Sequence, residues 1–232
     1  MTTDVDKCRA ILETVQRTGQ HITVTFNYRY NPVHELVKRT LAAGEIGRVL
    51  SVHFEWLLDT VHGADYFRRW HRQKANSGGL MVHKSGHHFD LVNWWLADEP
   101  TTVAAMGRLA FYGEENGKRH GWRKEYVRAR GSETAKADPF AMDILADETL
   151  KKIYADAESE DGYHRDQNVF AADIGIEDDM SLLVRYKSGT TMTYHLVGLL
   201  ASVEMRTDPY HADCVLAVGG LSCHVQRFTW PS

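Results

Sequence analysis

Hydrophobic periodicity at the start of the chain constrains the fold most strongly. Residues 3–18 predict a helix, because their apolar side chains recur along one helical stripe. Residues 21–29 alternate apolar and polar side chains, which is typical of a strand. A second helical pattern begins at Pro32 and ends at Gly44. A helix, a strand and a helix in this order indicate an α/β unit.

The pattern changes after this unit. Residues 49–57 predict a long strand, and residues 60–79 form a polar connection rich in aromatic side chains. Residues 80–97 predict the most apolar helix of the chain, and residues 101–109 predict another strand. The second part of the chain therefore combines longer strands with one buried helix.

A long charged segment precedes a predicted hairpin. Residues 113–179 are dense in charged residues and glycine, with one predicted helix near 145–158, so they form either a functional insertion or a mobile cover. Residues 180–186 and 190–196 then predict two paired strands. Their three-residue connection ends in glycine, which suits a turn with a left-handed residue.

Composition excludes several function classes. The 232 residues carry 27 basic and 31 acidic side chains, and this net charge of −4 disfavours a nucleic-acid surface. No apolar run approaches the length of a membrane span, so we expect no membrane partner. The three cysteines, Cys8, Cys214 and Cys223, form neither a metal motif nor an even disulfide set, which favours a cytoplasmic protein.

Polar side chains cluster inside the predicted apolar helix. His83 and His87 are four residues apart and share a helix face with Asp90, while Lys84 and His88 lie beside them. Such groups destabilise a buried helix unless they are paired or bind a ligand. The cluster is therefore the first candidate site, and an ordinary hydrogen-bonded core is the alternative for any single histidine.

A metal site is a further alternative for this cluster. The spacing of His83 and His87 suits zinc ligands on a helix. The zinc-protease signature, however, requires a glutamate directly after the first histidine, and that position holds Lys84. An ammonium group beside a divalent cation is electrostatically unfavourable, so we expect no metal here.

The chain contains no common catalytic or nucleotide-binding fingerprint. G-x-G-x-x-G after a strand, the P-loop motif and the G-x-S-x-G motif are all absent from the sequence. The residues that would bind a nucleotide cofactor therefore cannot be named from this sequence.

Several motifs occur in an order that characterises one family. They are Asn27-Tyr28-Arg29-Tyr30-Asn31-Pro32, Gly44-Glu45-Ile46-Gly47-Arg48-Val49, Trp70 ahead of Gly78-Gly79-Leu80, His87 to Asp90, and the predicted hairpin. Together they resemble the Gfo/Idh/MocA oxidoreductases, which include glucose–fructose oxidoreductase and inositol dehydrogenase. The resemblance runs from about Thr2 to Leu196.

The resemblance implies a fold and a division into domains. Family members have a Rossmann domain with a glycine fingerprint and a Glu-Lys-Pro motif whose lysine is catalytic. An α+β half follows, with an open, mainly antiparallel sheet and helices packed on one face. Residues 1–27 would then be a helix–strand remnant of the dinucleotide-binding domain, and 28–196 the substrate-binding and oligomerisation domain. Residues 197–232 would be an atypical tail, explained by a reading-frame slip or by ordinary divergence.

The resemblance also implies site residues. His87 matches the catalytic histidine of the family, whereas His83 occupies the position of its aspartate. We expect His87 to be the acid/base, because histidine exchanges protons near neutral pH. We expect His83 and Lys84 to polarise or orient the substrate hydroxyl, and Asp90 to be structural. The expected substrate-binding residues are Tyr28, Arg29, Trp70, His88 and His164.

These expectations combine into one function. The chain is expected to be the substrate-binding half of an NAD- or NADP-dependent oxidoreductase that acts on a sugar or polyol. It is expected to be inactive alone, because the fingerprint and the catalytic lysine are absent, and to assemble into homo-oligomers through the open sheet face. A non-catalytic binding or oligomerisation module of the same fold is the main alternative, and a metal-dependent hydrolase is the third.

Overall fold

The computed structural model describes residues 2–200, 214–218 and 221–225. The α-helices are α1 (Val5–Thr18), α2 (Pro32–Ala42), α3 (Thr60–Arg68), α4 (Lys74–Ser77), α5 (Leu80–His83), α6 (Ser85–Leu96), α7 (Glu114–His120), α8 (Glu148–Leu150) and α9 (Glu158–Asp161). The strands are β1 (Ser51–Asp59), β2 (Pro100–Arg108), β3 (Asp179–Tyr186), β4 (Thr191–Leu200), β5 (Cys214–Val218) and β6 (Leu221–Val225). Short 3₁₀ turns cover Asn27–Tyr30, Trp70–Arg72 and Thr134–Ala137, and a π-helical turn covers Lys151–Ala155.

The described strands form one open sheet in the order β2-β3-β4-β1-β6-β5. Antiparallel pairing joins β2 to β3, β3 to β4, β1 to β6 and β5 to β6, whereas β1 and β4 run parallel. The predicted α+β fold with a mainly antiparallel sheet is therefore confirmed. The predicted hairpin is β3–β4, and Gly189 in its turn has the expected positive φ of 90°.

In the described part of the chain, helices cover one face of the sheet. Alternate residues of β3 are buried, and they share that face with buried residues of β1 and β4. Helix α6 packs on this face, where Trp95 and His88 contact the Phe54 ring. The opposite face carries exposed side chains such as Leu183. One covered face and one open face agree with the period-two alternation of these strands.

The first predicted strand does not form. Residues 21–26 have no regular secondary structure, and a 3₁₀ turn follows at Asn27–Tyr30. A strand needs a neighbour to satisfy its backbone groups, and no described strand lies beside this segment. Ile22 and Val24 are accordingly exposed. Helix α1 forms as predicted and is closed by Gly19 in the left-handed conformation, but none of its residues is buried.

The predicted helix over residues 80–97 is broken into α5 and α6. The break lies at Lys84, and Ser85 begins α6. The Ser85 hydroxyl donates to the Leu80 carbonyl (3.3 Å) and accepts from the Tyr194 hydroxyl (2.7 Å). A serine hydroxyl that competes for a helical carbonyl disturbs the helix ladder. Periodicity alone does not reveal such a break.

The long insertion is anchored to the sheet by a buried carboxylate. Asp178 accepts hydrogen bonds from the backbone N–H groups of Ala110, Phe111 and Tyr112, at 2.6, 2.8 and 2.9 Å. These bonds tie the start of the insertion to its end. The Phe170 ring near the end is fully buried in the core. The described insertion therefore packs against the domain, and its helical turns at 148–161 overlap the predicted helix.

The predicted tail is described only in part. Strand β6 extends the sheet beside β1, and β5 pairs with β6. Residues 201–213, 219–220 and 226–232 lie outside the described residues, so the unusual origin of the tail stays a prediction. Among the described helices, none is long and apolar enough to cross a membrane.

Candidate functional site

The break between α5 and α6 lies beside a cavity of about 320 Å³. His83 and His87 line the cavity together from the two sides of the break, and Gly86 lies between them. Trp70 lines another wall, and Val24, Thr25 and Phe26 of the N-terminal segment face it. The two histidines predicted to form a site therefore do meet at one cavity, as does Trp70.

His87 brings an unused polar atom to this cavity. Its Nδ1 atom is buried and has no hydrogen-bond partner among the described residues. The ring packs edge-on against the Phe26 ring (centroids 6.0 Å apart) and the Tyr28 ring (6.1 Å). A buried polar atom without a partner costs free energy, and in native proteins it often marks a functional group.

His83 ends a column of three aromatic rings. The Trp70 ring stacks on His71 (3.8 Å), and His71 packs against His83 (4.1 Å). The pKa of His83 is lowered, first by partial burial of its ring and then by the positive charges of Arg69 and Lys84. The column supports a neutral His83 ring at neutral pH.

His71 was not predicted from the sequence. It is 4% exposed, and burial lowers its pKa to about 3. No spacing rule joins it to His83, because the two residues lie on different short helical turns. The one sequence signal was its position directly after Trp70.

Lys84 lies at the break, with its ammonium group over an aromatic ring. Its Nζ atom is 4.9 Å from the centroid of the Trp56 ring, a cation–π distance. Burial lowers the pKa of Lys84. Within residues 2–200 no carboxylate forms an ion pair with this lysine. Among the described residues, this partly buried cation thus has no counter-charge.

Arg29 lies near the site but is already paired. Its Nε donates to Asp90 Oδ2 at 2.6 Å, and a second contact makes the pair bidentate. The guanidinium also lies over the Trp94 ring, 5.6 Å from the centroid. Asp90 is therefore engaged in an ion pair, and its structural role stays a prediction. The prediction that Arg29 contacts substrate is not supported by this geometry, because the ion pair instead fixes the Asn27–Tyr30 turn to α6.

His88 does not line the cavity. It is 1% exposed and stacks on the Phe54 ring, with centroids 4.8 Å apart. Its Nδ1 lies 2.8 Å from the Tyr194 hydroxyl, which donates to Ser85. Burial lowers the pKa of His88 to about 3. Its predicted role in the pocket is therefore wrong, because the helix turns this ring into the core.

The two remaining predicted residues have different surroundings. Tyr28 is half-buried between the rings of His34 (4.5 Å), Trp56 (6.3 Å) and His87. It supports the His87 ring directly, and burial raises its pKa. His164 is exposed in the insertion and does not line the cavity.

Comparison with known proteins assigns the family. The model for "Oxidoreductase family, C-terminal alpha/beta domain" (GFO_IDH_MocA_C) matches residues 38–211. The chain belongs to the Gfo/Idh/MocA family. YteT of Bacillus subtilis, which is named as an oxidoreductase, is 37% identical over 210 residues, or 85% of this chain and 48% of YteT. Inositol 2-dehydrogenase of Rhizobium meliloti is 30% identical over 106 residues, or 46% of this chain and 30% of the enzyme.

The solved structures agree with this Gfo/Idh/MocA assignment in fold. The WlbA dehydrogenase from Bordetella pertussis, solved in complex with NADH and UDP-GlcNAcA, superposes with a TM-score of 0.52 at 15% identity. The match covers 85% of this chain and 43% of WlbA. The Gfo/Idh/MocA chain thus spans about half, or less, of the length of the relatives it matches.

The alternative of a metal site at His83 and His87 can be compared with the arrangement of side chains in this Gfo/Idh/MocA chain. Within the part of the chain that the structure describes, no group of three or more His, Cys, Asp or Glu side chains is arranged to hold a metal ion. His83 and His87 instead face the cavity beside a lysine.

Proposed function

We propose that this chain supplies the substrate-binding half of an NAD- or NADP-dependent oxidoreductase that acts on a hydroxyl of a sugar or polyol. The observation that carries the proposal is the meeting of His83 and His87 at one cavity, with the Nδ1 atom of His87 unpartnered. Membership of an oxidoreductase family that includes inositol dehydrogenases supports the substrate class.

In this proposal His87 is the acid/base. Oxidation of a carbinol removes the hydroxyl proton and a hydride from the same carbon, which becomes a carbonyl. The neutral imidazole of His87 accepts the proton, and in the reverse reaction it returns the proton to the alkoxide. Packing against Phe26 and Tyr28 holds the ring in position for this exchange.

His83 and Lys84 complete the proposed site. A neutral His83 ring, held in its column by His71, orients the hydroxyl by a hydrogen bond. The Lys84 ammonium stabilises negative charge that develops on the substrate oxygen. Its partial burial strengthens this effect, because electrostatic interactions weaken in bulk water.

The nicotinamide cofactor, when bound, accepts or donates the hydride. The sequence has no G-x-G-x-x-G, the fingerprint whose turn at a helix start would hold its pyrophosphate. The proposal covers NAD and NADP alike, and it assigns no residue of this chain to cofactor phosphates.

Ligand binding to the chain itself tests the site. Titration with myo-inositol and with glucose should shift the NMR signals of the His83 and His87 rings, and His87→Ala should weaken the binding. His120→Gln is the matched control, because His120 is exposed on α7, away from the cavity, and stacks on Trp122. Binding that perturbs neither His83 nor His87 would move the site elsewhere.

We also propose that the open face of the sheet joins two copies of the chain. Met106 and Leu183 lie on this face and are 83% and 55% exposed. Large exposed apolar side chains on one face favour a protein contact. Analytical ultracentrifugation should show an oligomer, and Leu183→Lys should dissociate it. Ser181→Lys on the same face should weaken the oligomer less. A monomeric wild-type chain would refute this assembly.

A further inference from the structure

No acidic side chain is among the described residues that line the cavity. The described lining includes Thr25, Trp70, Asn76, His83 and His87. The position that resembles the family's aspartate holds His83. A carboxylate at this position would repel an anionic ligand, whereas the histidine does not.

Positive charge accumulates beside this lining. Lys84 follows His83 directly, and its charge contributes to lowering the pKa of both His83 and His88. Its ammonium group lies over the electron-rich face of the Trp56 ring, and no described carboxylate pairs with it. Burying a cation without a counter-charge is unfavourable, and a bound anion would offset that cost.

Two arginines add to the positive charge behind His83. Arg69 and Arg165 share a single carboxylate, Asp65, at 3.3 Å and 3.1 Å. The Arg165 side chain is 11% exposed, and its Nε and Nη1 atoms have no hydrogen-bond partner among the described residues. Both arginines act on the pKa of His71, which stacks on His83. Two guanidinium groups and one carboxylate leave one net positive charge next to the stacked rings of His71 and His83.

The neighbouring carboxylates do not neutralise this excess. Asp90 is engaged by Arg29 in a bidentate ion pair. Glu177 is paired with Lys74 at the other end of the connection that precedes α5. Glu55, on the strand that carries Trp56, pairs with His195 on the opposite face of the sheet. Each of these three carboxylates therefore already has its own partner.

We infer that the substrate of this site carries an anionic group, a carboxylate or a phosphate, next to the hydroxyl that reacts. The inference rests on the proposed function and narrows its substrate class from sugars and polyols in general to their acidic derivatives. Lys84, which follows His83 but is not among the residues that line the cavity, attracts the anionic group from beside it, and the surplus charge of Arg69 and Arg165 adds a longer-range attraction. A neutral polyol would leave the Lys84 charge uncompensated.

Matched ligand pairs test the inference on the chain as it stands. Glucuronate and glucuronamide have nearly the same shape and differ in one charge, and glucose 6-phosphate and glucose form the second pair. We expect the charged member of at least one pair to bind about tenfold more tightly, as for a hydrogen bond to a charged group. The pair that shows the difference identifies the anion as a carboxylate or a phosphate.

Substitution of the lysine locates the effect. Lys84→Met keeps the length of the side chain and removes its charge, so it should abolish the preference for the anionic ligand. Lys118→Met is the control, because Lys118 is exposed and paired with Glu114 and Glu115 on α7. Raising the salt concentration should weaken glucuronate binding and leave glucuronamide binding unchanged. Circular dichroism of each variant checks that the fold is retained.

The outcomes separate this inference from the proposed function. Equal affinity for charged and neutral ligands, with shifts of His83 and His87, would overturn the anionic substrate and leave the polyol site standing. Binding of no ligand from either pair would overturn both. A charge preference that survives Lys84→Met would refute the assignment to this lysine.

Discussion

The two sides of the broken helix α5–α6 differ in how their polar groups are used. On the core side, Ser85 and His88 form one hydrogen-bonded chain with Tyr194. On the cavity side, the Nδ1 atom of His87 has no described partner, and at the break itself Lys84 has no described counter-charge. Residues 84–88 thus contribute both to a satisfied structural network and to an unsatisfied group of side chains.

This difference shows how structural and functional histidines can be told apart. A buried polar network that is fully paired stabilises one arrangement of the core. Unpaired groups at a cavity lower stability, so their presence there favours a role in binding. By this criterion we assign a structural role to His88, and the criterion supports the functional role that we propose for His87, although the two are adjacent in the sequence.

The largest expected effect concerns turnover. When this chain is joined to the part of YteT that lies outside the match, His87→Ala should lower the turnover number by about 10² or more, as loss of a general base does. Steady-state assays with NAD and NADP measure it, with His120→Gln as the control. A loss below about threefold would place the base elsewhere and break the distinction between the two sides.

Substitutions on the core side of the broken helix should change the free energy of unfolding. Tyr194→Phe removes the hydroxyl that joins His88 to Ser85, so it should lower the free energy of unfolding by about 1–3 kcal/mol. His87→Ala should cost much less, because the Nδ1 atom it removes has no described partner. Urea unfolding of both variants gives the two values. Equal losses would contradict the assignment of separate roles.

A smaller effect is expected in the pH dependence of stability. Burial lowers the pKa values of His71 and His88 from 6.5 to about 3. The unfolded chain protonates these rings below pH 6.5, whereas the folded chain does so only near pH 3. Their contribution is therefore complete above pH 6.5 and is lost as the pH falls toward 3.

Replacement of one ring measures this contribution. His71→Phe keeps the stack between Trp70 and His83 and removes one titrating group. The slope of unfolding free energy against pH should then fall by about one proton, or about 1.4 kcal/mol per pH unit. An unchanged slope between about pH 6 and pH 4 would show that His71 does not resist protonation.

The smallest signal is expected with nucleotides alone. Calorimetric titration of this chain with NAD and NADP should show no tight binding, because the sequence lacks the G-x-G-x-x-G fingerprint of the turn that holds pyrophosphate. Micromolar affinity for either nucleotide would mean that these residues contain a cofactor site of another design.

The helices and strands that could be predicted from the sequence are those determined by local periodicity and turn residues. The β3–β4 hairpin and the helices α1 and α2 were anticipated, because periodicity and turn chemistry determine them. The strand at 21–29 was wrong, since a strand depends on a neighbour that periodicity does not reveal. The break at Lys84 was missed for a similar reason, because Tyr194, 109 residues after Ser85, contributes to it.

The candidate site was predictable in part. The spacing of His83 and His87 placed both at one cavity, because that spacing survives the helix break. The ion pair of Arg29 with Asp90 joins residues 61 positions apart, and no local pattern indicates it. His88 was misplaced because the break and the packing of α6 determine which way its ring points. His71 meets His83 only after the intervening connection has folded.

The parallel pairing of β1 with β4 has a consequence for biosynthesis. Ser51 pairs with Thr191, and His53 contacts a residue 140 positions later. At about 5–20 residues per second, a ribosome needs roughly ten seconds or more to make that stretch. During this time the apolar side chains of β1, Val52 and Phe54 among them, lack the strand that will lie beside them. During this delay the nascent chain exposes an unpaired strand edge that is prone to aggregation. Its yield in cells should therefore depend on chaperones that bind β1 before β4 emerges.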